Sequence, residues 1–497
     1  MTRIFDAVVI GGDVDGLAAA TTLAKAGTKV LLVEEADALG GAFREIEFAP
    51  GYRAAPLAPA TDRTVIALSD GAPLVLSESI EATTESLKHH TEKDAERWPA
   101  FARKIHASAN FLAELYRSPP PRIDADTLGQ FLTLANLARK FRTLGRSGMA
   151  DLLRILPMPI ADLLDDEFES PALKGALAAM AVMDLAQGPT AAGTAFTFLH
   201  RHVGAQNEGP AALLKAHEAR ALAAGVKIAM QVKVRSLTVR DGCVTSVNLA
   251  SGEEVACRIV ISSLDPYRSL LDLIDPKHHD PEFIRAVRNI RFRGVTTKIL
   301  VALETLPAVP HLPSPPAGTS ASALTGSLLI APTIRHVERA YEASKYGRCS
   351  EDPFIEIRFP ALAQPEFAPA GKHIAVLHVQ YTPYRLREGT WDALRDSLAD
   401  RAIAQVDRHL PGFAASVRER TVLTPPDLES RFGVREGAVS QGEMALDQIL
   451  FMRPVPAASR YATPIDGYYL CGAGTHPGAG VHGISGHLAG RAAIAGA

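Results

Sequence analysis

The stretch Ala7-Val8-Val9-Ile10-Gly11-Gly12-Asp13-Val14-Asp15-Gly16-Leu17 decides the fold, together with its continuation through an alanine-rich segment to Gly27 and Val30-Leu31-Leu32-Val33-Glu34. The short apolar run at Ala7–Ile10 predicts a strand buried on both faces. A glycine-rich turn follows and opens a helix, which Gly27 closes. Val30–Val33 predicts a second buried strand. Strand, turn, helix and strand in this order form a βαβ unit whose helix N-terminus presents unpaired N–H groups to a phosphate. Glu34, at the carboxyl end of the second strand, is spaced to accept hydrogen bonds from adenosine ribose hydroxyls. The unit therefore predicts dinucleotide binding.

The rest of the composition bounds the class. At 497 residues the chain is long enough for about three units, or two with long insertions. Hydrophobic residues make up 47% and charged residues 22%, which is a globular balance rather than a disordered one. The net charge is −3 with no basic run, which excludes a nucleic-acid footprint. Four cysteines without CxxC spacing argue against both a disulfide framework and a zinc site, so no metal is expected. No apolar run approaches the ~18 residues of a membrane span, and no leader is expected before the first strand. The expected class is a soluble cytoplasmic enzyme.

Between the first unit and the C-terminus the pattern changes twice. Helical periodicity predicts helices over 87–116, 127–156 and 172–185, with Pro119-Pro120-Pro121 between the first two. Met180 and Met183 are expected to fill core, Asp165-Asp166-Glu167 to form a solvated face, and His200 and His202 to lie on a helix surface. Strands return at 226–230, 234–239 and 244–249, with Asp241-Gly242 as a hairpin turn, and at 258–262. A mixed region then carries strands at 297–301 and 374–379 and an amphipathic helix over 391–409, with a proline-rich loop at 307–316.

Tyr468-Tyr469-Leu470 runs into Cys471-Gly472-Ala473-Gly474-Thr475-His476-Pro477-Gly478-Ala479-Gly480-Val481-His482-Gly483, and a helix follows. Five glycines in one turn imply close approach of backbone to a ligand. A plain NAD dehydrogenase has no use for a second glycine-rich turn at the far end of the chain. An FAD protein does, because its flavin lies well away from the adenosine.

With these segments the chain resembles the phytoene desaturase and carotenoid/retinoid FAD-dependent oxidoreductase family. The resemblance rests on EEADALGG (34–41), EFAPGYR (47–53), AYEASKYGR (340–348), QYTPYR (380–385), GEMALDQILFMRP (442–454) and the turn over 470–483. It implies an α/β fold: a discontinuous Rossmann-like FAD-binding domain from residues 1–75, 205–290 and 440–497. An α+β substrate domain, from 76–204 and 291–439, is inserted into it and encloses an apolar cavity. By match to the family, Gly11, Gly12, Gly16, Glu34, Gly40 and Gly41 would line the adenosine half. Val234 would meet the adenine edge, and Gly474, Thr475, Gly480 and Val481 the flavin end. Two departures stand out: Asp13 occupies the place of a glycine that faces the pyrophosphate, and Glu208 the place of another near the flavin. Asp13 is also a good N-cap for its own helix.

Two functions follow. One is an FAD-dependent oxidoreductase acting by hydride transfer on an apolar, polyene-like small molecule. The other is a flavin-degenerate, non-catalytic homologue that partners or regulates an intact paralogue. Peripheral membrane contact and self-association stay open. No catalytic acid or base is assigned. His378, Tyr381, Glu443 and Asp447 are the polar residues of the matched segments nearest a pocket, each expected to be structural. His476 and His482 are expected to bond to flavin or backbone.

Overall fold

The strand Ala7–Ile10 lies in the middle of a five-stranded sheet ordered Tyr468–Leu470, Ile259–Ser262, Ala7–Ile10, Val30–Val33 and Lys227–Ala229, all parallel. Its continuous apolar sequence is explained by burial of all four residues, as in Val30–Val33 and Ile259–Ser262. The helices Val14–Lys25 and Ile484–Ala495 cover this sheet, so the two glycine-rich turns come together although they lie at opposite ends of the chain. A four-stranded sheet, Arg3–Ile4, Glu254–Ala256, Cys243–Leu249 and Val234–Arg240, stands beside it. Its hairpin turns at Asp241 and Gly242, both at positive φ, as the two-residue turn requires. The computed structural model describes residues 3–60, 62–69, 71–121, 135, 138–139, 141–203, 210–312 and 323–496.

A seven-stranded sheet forms the second layer system, in the order Val417–Leu423, Thr296–Leu303, His373–Gln380, Phe354–Arg358, Ser327–Ile330, Val65–Leu68 and Leu74–Leu76. It is antiparallel except where Ser327–Ile330 runs parallel to Val65–Leu68. Val65–Leu68 and Leu74–Leu76, up to residue 75 part of the expected flavin domain, thus pair in this sheet and not in the five-stranded one. The reason is physical: Val65–Leu68 is buried throughout, and a short all-apolar strand reads the same in either sheet. The helix Trp391–His409 packs on one face of this sheet.

A helical lobe contains Ile80–Lys88, Glu92–Tyr116, Gly145–Ile155, Ile160–Glu167, Pro171–Val182 and Thr194–Val203. Its core holds an aromatic cluster in which Trp98, Phe101 and Phe168 are in mutual ring contact and Phe198 packs on Phe101. The first expected helix of this lobe is thus two helices, the earlier one capped by Ser79, whose hydroxyl accepts from Ala82 N. Of the expected helix over 127–156, residues 127–134, 136–137 and 140 lie outside the described residues and Gly145–Ile155 is helical; of the proline-rich loop over 307–316, residues 313–316 lie outside them. Among the described residues, no helix is long and apolar enough to cross a membrane.

Candidate functional site

A cavity of about 1430 Å³ runs from the first glycine-rich turn, past the C-terminal turn, to the seven-stranded sheet and the helical lobe. At one end Glu34 is only 8% exposed, and its carboxylate accepts from Gly12 N at 2.7 Å and Ala36 N at 2.8 Å. Two backbone amides therefore hold it at the strand end and fix its direction. Gly40 N donates to Gly12 O, which ties the 34–41 segment to the turn. Val232, whose N–H donates to the Glu34 carbonyl, lines this end together with Lys233 and Val234.

Asp13 caps the helix Val14–Lys25, with Oδ1 accepting from Gly16 N at 2.7 Å. Burial pushes its carboxyl up to about 6, and the Glu34 carboxylate adds to that against the bond from Gly16. Asp15 joins the two turns: Oδ1 accepts from Gly483 N at 3.0 Å and Gly486 N at 3.1 Å. Burial pushes Asp15 up to about 7, and Asp13 repels it further.

The C-terminal turn is held from behind. Thr475 and Ser485 hydroxyls are 2.6 Å apart, and Gly474 N donates to Gln441 Oε1. Arg453, 2% exposed, spends its guanidinium on backbone carbonyls of Ser440, Gly442, Glu443, Gln448 and Ala473. Burial lowers it to about 9. From the helical lobe, Tyr116 Oη and His200 Nδ1 are 2.8 Å apart and His200 Nε2 lies 2.7 Å from Ala479 O. Burial lowers His200 to about 4, so it is neutral, with Nε2–H donating to Ala479 and Nδ1 accepting from Tyr116. His200 is thus a buried strut rather than a helix-surface residue.

The far end is the surprise relative to the expected apolar cavity. Its helical wall is largely apolar, with Trp98, Phe101, Leu177, Met180, Met183 and Phe198 lining it beside Asp184 and Arg201, so both methionines face the cavity. Its sheet floor is charged. Lys298, His378 and Glu356 stand in register on three neighbouring strands. Lys298 Nζ donates to His378 Nδ1 at 2.7 Å, and His378 Nε2 donates to Gln380 Oε1 at 2.9 Å. Burial lowers His378 to about 4 and Lys298 to about 8. Asp184, in the left-handed region at φ 62°, accepts from Thr296 Oγ1 and faces this pair. Burial tends to raise Asp184, but His378, Lys298 and Arg201 outweigh it and hold the carboxyl low.

Of the site residues expected from sequence, Gly11, Gly12, Glu34, Gly40, Gly41, Val234 and Gly480 line this one cavity. Gly16, Gly474, Thr475 and Val481 stand behind its wall. A Cβ on Gly16 would lie 2.0 Å from Gly11 O, so that glycine serves turn–helix packing. Val481 is buried against the helical lobe. His378 and His482 line the cavity, whereas Tyr381 donates to Gln187 O. Glu443 and Asp447 share Arg291. His476 is fully buried against Tyr116. Glu208 lies outside the described residues. The sequence reading missed Lys298, Asp184, Arg201, Glu356 and Arg358. The available signal was a lysine inside the otherwise uncharged Thr296–Leu303, opposite a histidine in the apolar His373–Gln380.

These residues fit an FAD. The cavity is continuous from the Glu34 carboxylate to Gly480, where an added Cβ would meet nothing within 4 Å. Asp13 sits in that path, but with one carboxylate oxygen turned onto its own helix.

Residues 6–263 match the FAD binding domain family. The chain is similar to pyridine nucleotide-disulfide oxidoreductase domain-containing protein 2 of Rattus norvegicus, 31% identical over 98% of this chain and 92% of that protein. It is more distantly similar to a lycopene-forming phytoene desaturase of a Paracoccus species, 25% identical over 53% of this chain and 49% of the relative. Among solved structures, putrescine oxidase bound to putrescine superposes with a TM-score of 0.58 at 15% identity, covering 100% of this chain and 99% of that one.

Proposed function

The chain belongs to the FAD binding domain family of oxidoreductases, and on that premise we propose that it oxidises or reduces an apolar organic substrate by hydride transfer. FAD is its cofactor. The observation that carries the reading is the single cavity joining the Glu34 end, the Ala479–Gly480 turn and the apolar wall of the helical lobe. When bound, FAD supplies the two-electron chemistry. The chain supplies position and dryness. Glu34, fixed by two amides, would orient the ribose, and the Gly480 turn, fixed through His200, Arg453 and Asp15, would hold the flavin end. Trp98, Phe101, Met180 and Met183 would exclude water around the substrate and leave room for an extended, unsaturated body. Likeness to a phytoene desaturase supports that body. No step requires a strong base.

A second reading, a partner subunit that has lost flavin, is favoured by one observation: Asp13 occupies the helix N-terminus that a phosphate would use. An absorbance spectrum of the purified protein separates the two. Flavin bands near one per chain, bleached under anaerobic reductant, are expected. A spectrum without flavin bands, after supplementation with FAD, would replace the enzyme by the partner reading.

A further inference from the structure

We propose that the inner end of the cavity is built to receive a carboxylate carried on an apolar body, so that the substrate is an organic acid rather than a hydrocarbon or an amine. This rests on the flavin-oxidoreductase reading of the same site. Five charged side chains converge there. Lys298, Glu356 and Arg358 rise from one face of the seven-stranded sheet, and Asp184 and Arg201 come from the helical lobe. Lys298 interacts electrostatically with the other four, and Arg201 also with Asp184 and Glu356. With His378 neutral, three cations face two carboxylates, which leaves one positive charge without a counterpart.

The partners identify where that charge sits. Arg358 is consumed: its guanidinium donates to Pro56 O and Ala58 O and lies 3.4 Å from Glu356. Asp184 faces Lys298 and His378 and accepts from Thr296. Lys298 uses one of its three N–H donors on His378. Arg201 donates to the Met183 carbonyl, and its side chain remains accessible from the cavity although its helix lies inside the fold. Lys298 and Arg201 thus offer several donors toward the same space.

An uncompensated charge inside a protein is costly unless a counter-charge meets it. A singly charged carboxylate supplies one negative charge and accepts from both residues. A phosphate ester would bring a second negative charge beside Asp184 and Glu356. An ammonium would add a third cation to Lys298 and Arg201. A pure hydrocarbon would leave them desolvated against carbon. Beside the charged floor, Trp98, Phe101, Leu177, Met180 and Leu329 form a wall that suits an aliphatic or polyene chain.

The test uses the purified holoprotein and three probes of equal length: octanoate, 1-octanol and octylamine. Calorimetric titration should give octanoate a Kd at least about tenfold below both others, the ratio one favourable charge contact of ~1.4 kcal/mol supplies. Arg201→Gln should erase that preference without changing the octanol Kd, and Arg201→Lys should restore most of it. Arg201 reaches into open space, so these variants should fold; Lys298→Met serves as a second variant with the same expected loss. Equal affinity for the three probes, tighter octylamine, or a parallel loss for all three in Arg201→Gln would overturn the proposal. Flavin absorbance on the same samples separates the two claims. Flavin present without octanoate preference refutes the substrate class alone. Flavin absent refutes the redox reading, while the heats still judge the carboxylate site.

Discussion

Asp15→Asn should stabilise the protein by roughly 2–4 kcal/mol at pH 8, and that gain should shrink by roughly 2 kcal/mol at pH 5. Asp15 is 6% exposed, and one of its oxygens accepts from both Gly483 N and Gly486 N. Asparagine presents the same carbonyl oxygen, so both bonds survive. What disappears is a negative charge that burial, and then Asp13, disfavour strongly enough to raise the carboxyl from 3.8 to about 7. A carboxyl raised in the folded state binds its proton more tightly there than in the unfolded chain. Its contribution to stability is complete below the unfolded value near 4 and is lost as pH rises to about 7. At 1.36 kcal/mol per tenfold change in proton affinity, the whole loss is roughly 4 kcal/mol. The lower end of the range allows for the amide –NH2, which needs an acceptor where the second oxygen stood. Urea unfolding of both proteins at the two pH values, with equal slopes, measures the difference. A gain independent of pH would show that the Asp15 carboxyl is not raised in the fold, and a loss at both pH values would show that it is ionised and stabilising there.

Asp13→Gly should tighten FAD binding, with a larger effect at low salt. At an effective dielectric of ~20 and ~4 Å, one like-charge contact costs about 4 kcal/mol, against about a few tenths for exchanging Asp for Gly at the cap; flavin retained per chain at two ionic strengths measures it, and a salt-independent result refutes the repulsion. Glu34→Ala should weaken FAD retention by roughly 1–3 kcal/mol in equilibrium dialysis, since a charged acceptor is lost. Glu35 should not replace it, because Lys233 and Arg268 already engage its carboxylate. Arg453→Met should cost more than about 3 kcal/mol in the urea midpoint, because several buried carbonyls lose their donor at once; a small cost would mean that the C-terminal turn is held by Thr475, Gln441 and His200 alone.

The dinucleotide unit was readable because its signals are local. Ala7–Ile10, the turn and Glu34 lie within one βαβ unit, and each residue there answers to backbone geometry a few positions away. The second glycine-rich turn was readable for the same reason. Signals failed where one pattern serves two environments. Val65–Leu68 is uniformly apolar, and nothing in four such residues says which of two sheets will take them. Met180 and Met183 carry helical spacing that suits a core or a cavity wall alike. His200 looked like a helix-surface residue because the groups that bury it, Tyr116 and the Ala479 carbonyl, are 84 and 279 residues away.

The linear order of residues is enough to establish the parallel sheet, to place Glu34 at a strand end beside the first glycine-rich turn, and to put Asp13 at a helix N-terminus. Each follows from short-range rules: β-branched runs bury, glycine frees a turn, and a carboxylate at a strand end takes the amides of the adjoining turn. The chemistry of the inner cavity follows from no such rule. Lys298, His378 and Glu356 form one row because antiparallel pairing aligns positions 80 and 22 residues apart, and Asp184 and Arg201 meet that row through packing of a separate lobe. Coulomb interactions depend on distance in space, not on separation along the chain. The charge balance that points to an organic acid therefore exists only once the lobes have closed around it.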